Sequence, residues 1–344
     1  MRSWGRSAAL ILGPFALSWS IGCGGNVASS SRDAGGREAS TESPDPEAGV
    51  GPYPPGAIAT LGNDRDVVIF EPGAKARRWR IPSDVLYEHP DDFCWSLAFD
   101  GARRLYVLCR PMKLGGTPGR ILVFASGATG AATPLNVVAP ASVGDDSLRQ
   151  IAVAPSFDLV TTSLLAKDVD GGVACSGGVV RVFGGRAALR QVPDRVLRLD
   201  FCPVGAGADS HGTIYVAVNP TPILLFAREA AGAASPWRTI MNQGDTVAMT
   251  VDPYGDVYVA DARNRAILYY PIGATDPMPT RTIAGASTNL DFPSALAVDA
   301  AGRVYVVDSG RSRILIFPRD ADGDVAPEVI ARDDIYGQAV AVAP

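Results

Sequence analysis

Pro293-Ser-Ala-Leu-Ala-Val-Asp299-Ala-Ala-Gly302-Arg-Val-Tyr305-Val-Val-Asp308, followed by Arg313-Ile-Leu-Ile-Phe317, decides how this chain folds. Apolar residues at every second position give a strand with one buried face. Asp299 and Gly302 then supply turn chemistry, because glycine reaches positive φ without steric cost. A second strand follows through Tyr305, and a third ends on Phe317. Ala321-Asp-Gly323 and Pro327 mark another turn before a fourth strand.

The preceding segment repeats this pattern: Met249-Thr-Val-Asp252-Pro-Tyr-Gly255-Asp-Val-Tyr258-Val-Ala-Asp261, then Ala266-Ile-Leu-Tyr-Tyr270. Traced along the chain, strand one gives Leu97/Phe99, Ile151/Val153, Leu199/Phe201, Met249/Val251, Leu296/Val298 and Val340/Val342. Strand three places an aliphatic residue three before an aromatic one: Val67/Phe70, Ile121/Phe124, Val180/Phe183, Ile223/Phe226, Ile267/Tyr270 and Ile314/Phe317. The aromatic markers lie 54, 59, 43, 44 and 47 residues apart, close to the length of a four-stranded blade. One such sheet cannot bury both faces alone, whereas six around an axis cover each other. The expected fold is therefore all-β, a six-bladed β-propeller with four-stranded blades. Gln338 to Ala343 read as strand one of a blade whose strands two to four are Ile58 to Leu61, Val67 to Phe70 and Arg78 to Ile81. The C-terminal strand joining these N-terminal strands closes the ring.

Composition agrees, with 37 Gly and 27 Pro suited to short strands and tight turns. A net charge of −5 and no Lys/Arg tract argue against a nucleic-acid partner, whose phosphates demand a basic face. A monomer is expected.

The N-terminus reads as a targeting segment. Arg2 and Arg6 precede an apolar stretch from Ala8 to Ile21, short for a membrane span, that ends in Ser20-Ile21-Gly22-Cys23. Small residues before a cysteine resemble the bacterial lipobox, which implies acylation of Cys23. Ser20 stands where that pattern usually has Leu, and a simple cleaved signal peptide is the alternative. The expected organisation is a lipoprotein signal peptide at 1–22, a disordered tether at 23–55 and the propeller at 56–344. The tether carries Ser29-Ser30-Ser31, Pro44, Pro46, Pro52, Pro54 and Pro55, too little apolar surface to offset chain entropy. The destination is the cell envelope, with the chain lipid-anchored to a membrane.

The repeats from Gly56 to Pro344 resemble the NHL repeat family. The copies from Met249 to Ile330 match well, while those near Ile151 and Leu199 are degenerate, with Ala154 and Cys202 at the Asp position. Propellers of that type occur in bacterial sensor and surface proteins, in eukaryotic RNA-binding proteins and in a peptide-amidating lyase. A related gluconolactonase-like group shares the six-bladed plan. The resemblance implies the fold and little chemistry.

Candidate chemistry is sparse. The lyase-like members hold metal with several histidines, and this chain has only His89 and His211, in different blades. There is no G-x-S-x-G elbow. Asp320-Ala-Asp322-Gly323-Asp324 and Lys167-Asp168-Val169-Asp170-Gly171-Gly172 alternate carboxylates as calcium loops do, but lack the distal glutamate and read as solvated turns. Asp261, Arg263, Arg265, Asp308, Arg311 and Arg313 recur at repeat positions, as blade-to-blade ion pairs or exposed turns would. No catalytic residue, metal or cofactor is expected.

An oxidising compartment makes the cysteines informative. Cys94 and Cys109 face each other across a hairpin and suit a cross-strand disulfide. Cys175 and Cys202 pair less readily, since strand order puts them on opposite faces of the disc unless the long loop before Cys175 compensates. Connections four-to-one and two-to-three emerge on one face, where Ser83 to Phe93, Arg110 to Gly119, Ala139 to Ser147 and Ser163 to Gly178 form long insertions. They carry Asp91, Asp92, Arg110, Lys113, Asp145, Asp146, Lys167, Asp168 and Asp170, a mixed-charge rim for polar recognition.

The expected function is a tethered binding module for a protein, peptide or glycan. The alternative is a metal-dependent lactonase- or lyase-like enzyme using the central channel. Against it, the strand-one residues facing away from the main apolar stripe are Ala98, Ala152, Thr250, Ala297 and Ala341, with Asp200 alone breaking the series.

Overall fold

The computed structural model describes residues 51–344 except 63, 74–76, 112–118, 139–145, 155–157, 170–171, 186–191, 219–221, 242–243, 274–277 and 333–334. In chain order the strands begin with β1 (Ile58–Gly62), β2 (Val67–Phe70) and β3 (Arg77–Ile81). A one-turn helix α1 (Ser83–Leu86) leads into β4 (Asp92–Phe99), β5 (Leu105–Pro111), β6 (Arg120–Phe124) and β7 (Asn136–Val138). Next come β8 (Asp146–Val153), β9 (Leu159–Val169), β10 (Gly172–Phe183) and β11 (Arg195–Leu199). A shorter-stranded set follows: β12 (Pro203–Ala208), β13 (Ile214–Val218), β14 (Ile223–Phe226) and β15 (Arg238–Ile240). The two well-matched copies give β16 (Thr246–Val251), β17 (Val257–Asp261), β18 (Ala266–Tyr270) and β19 (Arg281–Ile283), then β20 (Pro293–Val298), β21 (Val304–Asp308), β22 (Arg313–Phe317) and β23 (Glu328–Arg332). Last is β24 (Ile335–Val342).

These strands form six four-stranded antiparallel sheets, five of them from consecutive strands. The remaining sheet has the order β24-β1-β2-β3, so the last strand is strand one of the first blade. Ile58 pairs with Val342, Ala59 with Ala341 and Thr60 with Val340. The inner strands β24, β4, β8, β12, β16 and β20 each touch the next and β20 touches β24, which closes the ring. The protein is a six-bladed β-propeller.

The core sits in the seams. Each of the six buried apolar clusters combines residues of two adjacent blades. At the closing seam Ile58, Val68 and Phe70 of the first blade pack on Tyr305, Val307 and Ile316 of the sixth. Fully burying an Ile or Phe contributes roughly 1.5–3 kcal/mol, so every seam depends on having both its blades. Backbone bonds from one repeated turn add to several seams. The turn between strands three and four donates from Gly130 N to Arg80 O, from Gly232 N to Val196 O and from Gly323 N to Thr282 O, each at 2.7–2.8 Å. The three glycines have φ of 57°, 63° and 70°, which explains their place in the repeat.

Three features differ from the sequence reading. Leu199 ends a fourth strand, and the following first strand is Pro203–Ala208, so Asp209 and not Cys202 occupies the Asp position. Residues 163–169 and 172–178 pair as a β-ribbon, with Val169 opposite Gly172, where an irregular loop was expected. Ordered packing also begins before residue 56. Tyr53 is fully buried against Trp79 and Phe99, and its hydroxyl donates to Ala128 O at 2.6 Å. This ring fills the outer seam of the first two blades.

Candidate functional site

The six inner strands surround a channel with a cavity of about 380 Å³. Its waist is formed by Ala98, Ala152, Gly207, Thr250, Ala297 and Ala341, one residue per blade at the same register. Five were expected from the sequence, and Gly207 takes the sixth place. Asp200 is exposed outside the channel, between strands β11 and β12. Glycine serves here because neighbours fill the space. A Cβ on Gly207 would lie 3.0 Å from Val251 Cγ2, and one on Gly205 would lie 2.2 Å from Gln150 Oε1.

One mouth of the channel owes its side chains to a repeated bulge. Register shifts fall between Cys94/Ser96, Leu148/Gln150, Pro203/Gly205, Thr246/Ala248 and Pro293/Ala295. The extra residue in each case, namely Trp95, Arg149, Val204, Val247 or Ser294, lines the channel, and Gln338 of β24 completes the ring. Bulges re-aim a side chain in this way. This mouth lies on the face of the four-to-one and two-to-three connections, because each bulge falls at the start of its strand one. The Arg110 guanidinium stacks 4.3 Å from the Trp95 ring centroid. Gln150 crosses the opening, its Nε2 3.4 Å from Met249 O two blades away.

The electrostatics of the mouth are unusual for an acidic chain. Arg110 is 7% exposed, and burial with the nearby charge of Arg149 pushes its pKa down to about 10. Burial also lowers that of Arg149. Among the described residues, neither guanidinium is matched by a carboxylate. Trp95 Nε1, Arg110 Nε and Gln150 Oε1 are enclosed without a hydrogen-bond partner. The pattern of alternating apolar residues gave no sign of this cluster, since a bulge shifts the period that the alternation would reveal. The juxtaposed Trp95 and Arg110, each next to a cysteine of one bridge, were the available signal.

The other expected residues are distributed as follows. Asp91 sits in the turn before β4 and is exposed. Asp92 is buried, accepts the backbone N–H groups of Glu88 and His89, and lies 3.6 Å from Arg120. Asp146 opens β8, while Lys167 and Asp168 lie near the ribbon tip opposite Ala174 and Val173. Cys23, Lys113, Asp145 and Asp170 lie outside the described residues. His89 precedes β4 and His211 lies in the β12–β13 turn, so they do not meet. Asp322 and Asp324 accept backbone N–H groups of Thr282 and Ser287 in the preceding blade. Asp308 pairs with Arg313 at 2.9 Å, and Asp291 takes Arg265 at 3.4 Å across the seam. No group of three His, Cys, Asp or Glu among the described residues could hold a metal.

Both disulfides are formed. Cys94–Cys109 joins directly opposed positions of β4 and β5. Cys175–Cys202 ties the ribbon base to the β11–β12 connection. The sequence had suggested opposite faces for that pair, because Cys202 was placed within a strand one. With Leu199 ending β11, the start of β10 and Cys202 share a face. Gly178 makes the approach possible, since a Cβ there would lie 2.1 Å from Pro203 Cδ. Two disulfides fit an oxidising compartment such as the periplasm or the cell exterior. No helix among the described residues is long and apolar enough to cross a membrane.

An NHL repeat is matched over residues 290–317, the stretch from Leu290 through β22. The chain is thus a β-propeller carrying an NHL repeat. No curated protein matches the sequence. Solved structures do match. A Bacteroides caccae protein of unknown function aligns at TM-score 0.58 and 10% identity, over 84% of this chain and 98% of that one. A functionally unknown protein from Desulfotomaculum acetoxidans aligns at 0.53 and 12%, over 80% of each. The WD40 β-propeller domain of Doa1 aligns at 0.52 and 13%, over 83% of this chain and 82% of that one. At such identities the likeness speaks for the fold alone.

Proposed function

We propose that this chain is a bacterial envelope lipoprotein, anchored through acylated Cys23, whose propeller is a binding module for a protein, peptide or glycan. The observation that carries the reading is the asymmetry of the disc. The ribbon of β9 and β10, the α1 segment and the polar mouth of the channel all belong to one face, and recognition concentrates where a rigid scaffold carries elaborated connections. The narrow waist of small side chains supplies little reactive chemistry. Asp100, the one carboxylate side chain lining the channel among the described residues, is occupied by Arg104 and Tyr106.

Affinity capture with the full chain from envelope extracts tests the module. A specific partner is expected, lost on charge reversal at Asp91, Asp145 and Asp168 and kept on reversals at the opposite face. Loss only with the opposite-face changes would overturn the assignment of the working face. Membrane fractionation of Cys23→Ala tests the anchor. The variant should appear unacylated and released, and an equally membrane-bound variant would refute it.

A further inference from the structure

The channel mouth has the chemistry of a site. A guanidinium removed from water keeps its charge at a large cost unless something pairs with it. Arg110 is more than nine-tenths buried, and it donates from Nη1 only to Pro111 O at 3.2 Å, leaving Nε enclosed without a partner. The bulge in β8 brings the second cation, Arg149, near enough that its charge acts on Arg110. Two like charges in one opening repel, so the fold here maintains an arrangement that works against its own stability. Trp95 Nε1 is a further enclosed donor beside them.

We propose that the mouth lined by Trp95, Arg149 and Gln150, with Arg110 packed against the Trp95 ring, binds the carboxylate of an organic acid. A planar guanidinium matches the two oxygens of a carboxylate in a fork and neutralises it, and the second cation nearby adds to the attraction. The remaining walls distinguish an organic acid from a bare oxyanion. The Trp95 ring and the side chains of Val204 and Val247 line the same opening and offer apolar surface that inorganic phosphate would leave unused. The inference rests on reading the propeller as a binding module and names the chemistry it recognises. The carboxylate can belong to the end of a peptide chain or to an acidic sugar, and the test separates them.

The experiment is calorimetric titration of the full chain with Ala-Ala-Ala, its C-terminal amide, D-galacturonate and inorganic phosphate. At least one of the two acids is expected to bind, with the amide and phosphate at least about tenfold weaker, the worth of one charge-assisted hydrogen bond. Tighter binding of the tripeptide assigns a chain end, and tighter binding of galacturonate assigns an acidic sugar. Arg149→Gln, which removes the second cation and leaves the buried Arg110 in place, should weaken the acid about tenfold or more, while Arg149→Lys should restore part of it. Equal affinity for acid and amide, phosphate binding as tight as the acids, no binding of either acid, or an unchanged Arg149→Gln would each overturn the proposal. Such a failure leaves envelope capture of a partner untouched. Conversely, acid binding without any captured partner removes the module's partner and not this site.

Discussion

The phenolic hydroxyl of Tyr305 on β21 donates to Asp299 Oδ2 across 3.1 Å, joining two buried side chains across the turn that follows β20. The same bond joins Tyr106 to Asp100 and Tyr215 to Asp209, each at 3.2 Å. In every case the aspartate also accepts backbone N–H groups of its own turn, as Asp299 does from Arg303 at 2.8 Å. The repeated Asp and Tyr of the sequence thus hold the turn from strand one to strand two and have no visible role in ligand chemistry. Tyr305→Phe removes one bond and should cost about 1 kcal/mol. Asp299→Ala orphans several buried donors at once and should cost about 2–3 kcal/mol. Urea unfolding of both variants checks the order, and equal losses would show that the carboxylate is not the centre of the turn.

Buried tyrosines are expected to set the alkaline limit of stability. Burial raises Tyr258 and Tyr270 from 10.0 to about 12, and raises Tyr215 and Tyr305 further with help from the charges of Asp209 and Asp299. In the window between these values the folded state keeps phenolic protons that the unfolded chain releases. Stability is therefore fully present below about pH 10 and falls as pH rises toward 12. Urea midpoints at about pH 8 and about pH 11 should show the fall, and Tyr258→Phe should make it shallower. A midpoint that does not move would mean the phenols ionise freely in the fold.

Ring closure is the next expectation. Besides its ladder with β1, strand β24 accepts the Thr60 hydroxyl at Ala339 O, 2.8 Å away, and its residues Ala339, Val340 and Ala341 belong to both seams of the first blade. Deleting residues 336–344 opens two seams and exposes the edge of β1. The truncated chain should lose cooperative thermal unfolding and bind a hydrophobic dye. A truncated chain that melts like the full one would mean that the ring does not depend on this strand.

How far the sequence reveals these features depends on what carries them. All six third strands were legible because in every blade an aliphatic residue and an aromatic three positions later fill the two opposite seams. The β12 strand was not, since Gly205 and Gly207 give no alternation. Their place is taken by Gln150 and Val251 from neighbouring blades, information the local segment does not contain. The ring of mouth residues was hidden for the related reason that a bulge breaks the two-residue period. By contrast, Cys94 and Cys109 were legible because hairpin pairing is local. Cys175 and Cys202 were not, because their proximity follows from a ribbon and from where β11 ends.

The two bridges should fail in different ways. Cys94 and Cys109 are buried in a seam, 5% and 1% exposed, and each adjoins a mouth residue, Trp95 or Arg110. Replacing both by Ser removes a cross-link whose 15-residue closure contributes about 3 kcal/mol and puts hydroxyls in an apolar seam. Cys175 is exposed, and its bridge spans 27 residues between the ribbon base and the β11–β12 connection. Chain entropy alone would rank this second bridge slightly higher, since each doubling of a loop adds only about 0.6 kcal/mol. The surroundings reverse the order, because the ribbon can open at its base while the seams stay packed. The Cys94→Ser/Cys109→Ser variant should therefore show the larger drop in urea midpoint. The Cys175→Ser/Cys202→Ser variant should show a smaller drop together with faster proteolysis between residues 163 and 178 under native conditions. If that second variant loses as much global stability without faster cleavage, the ribbon is held by its own strand pairing and the bridge belongs to the global fold.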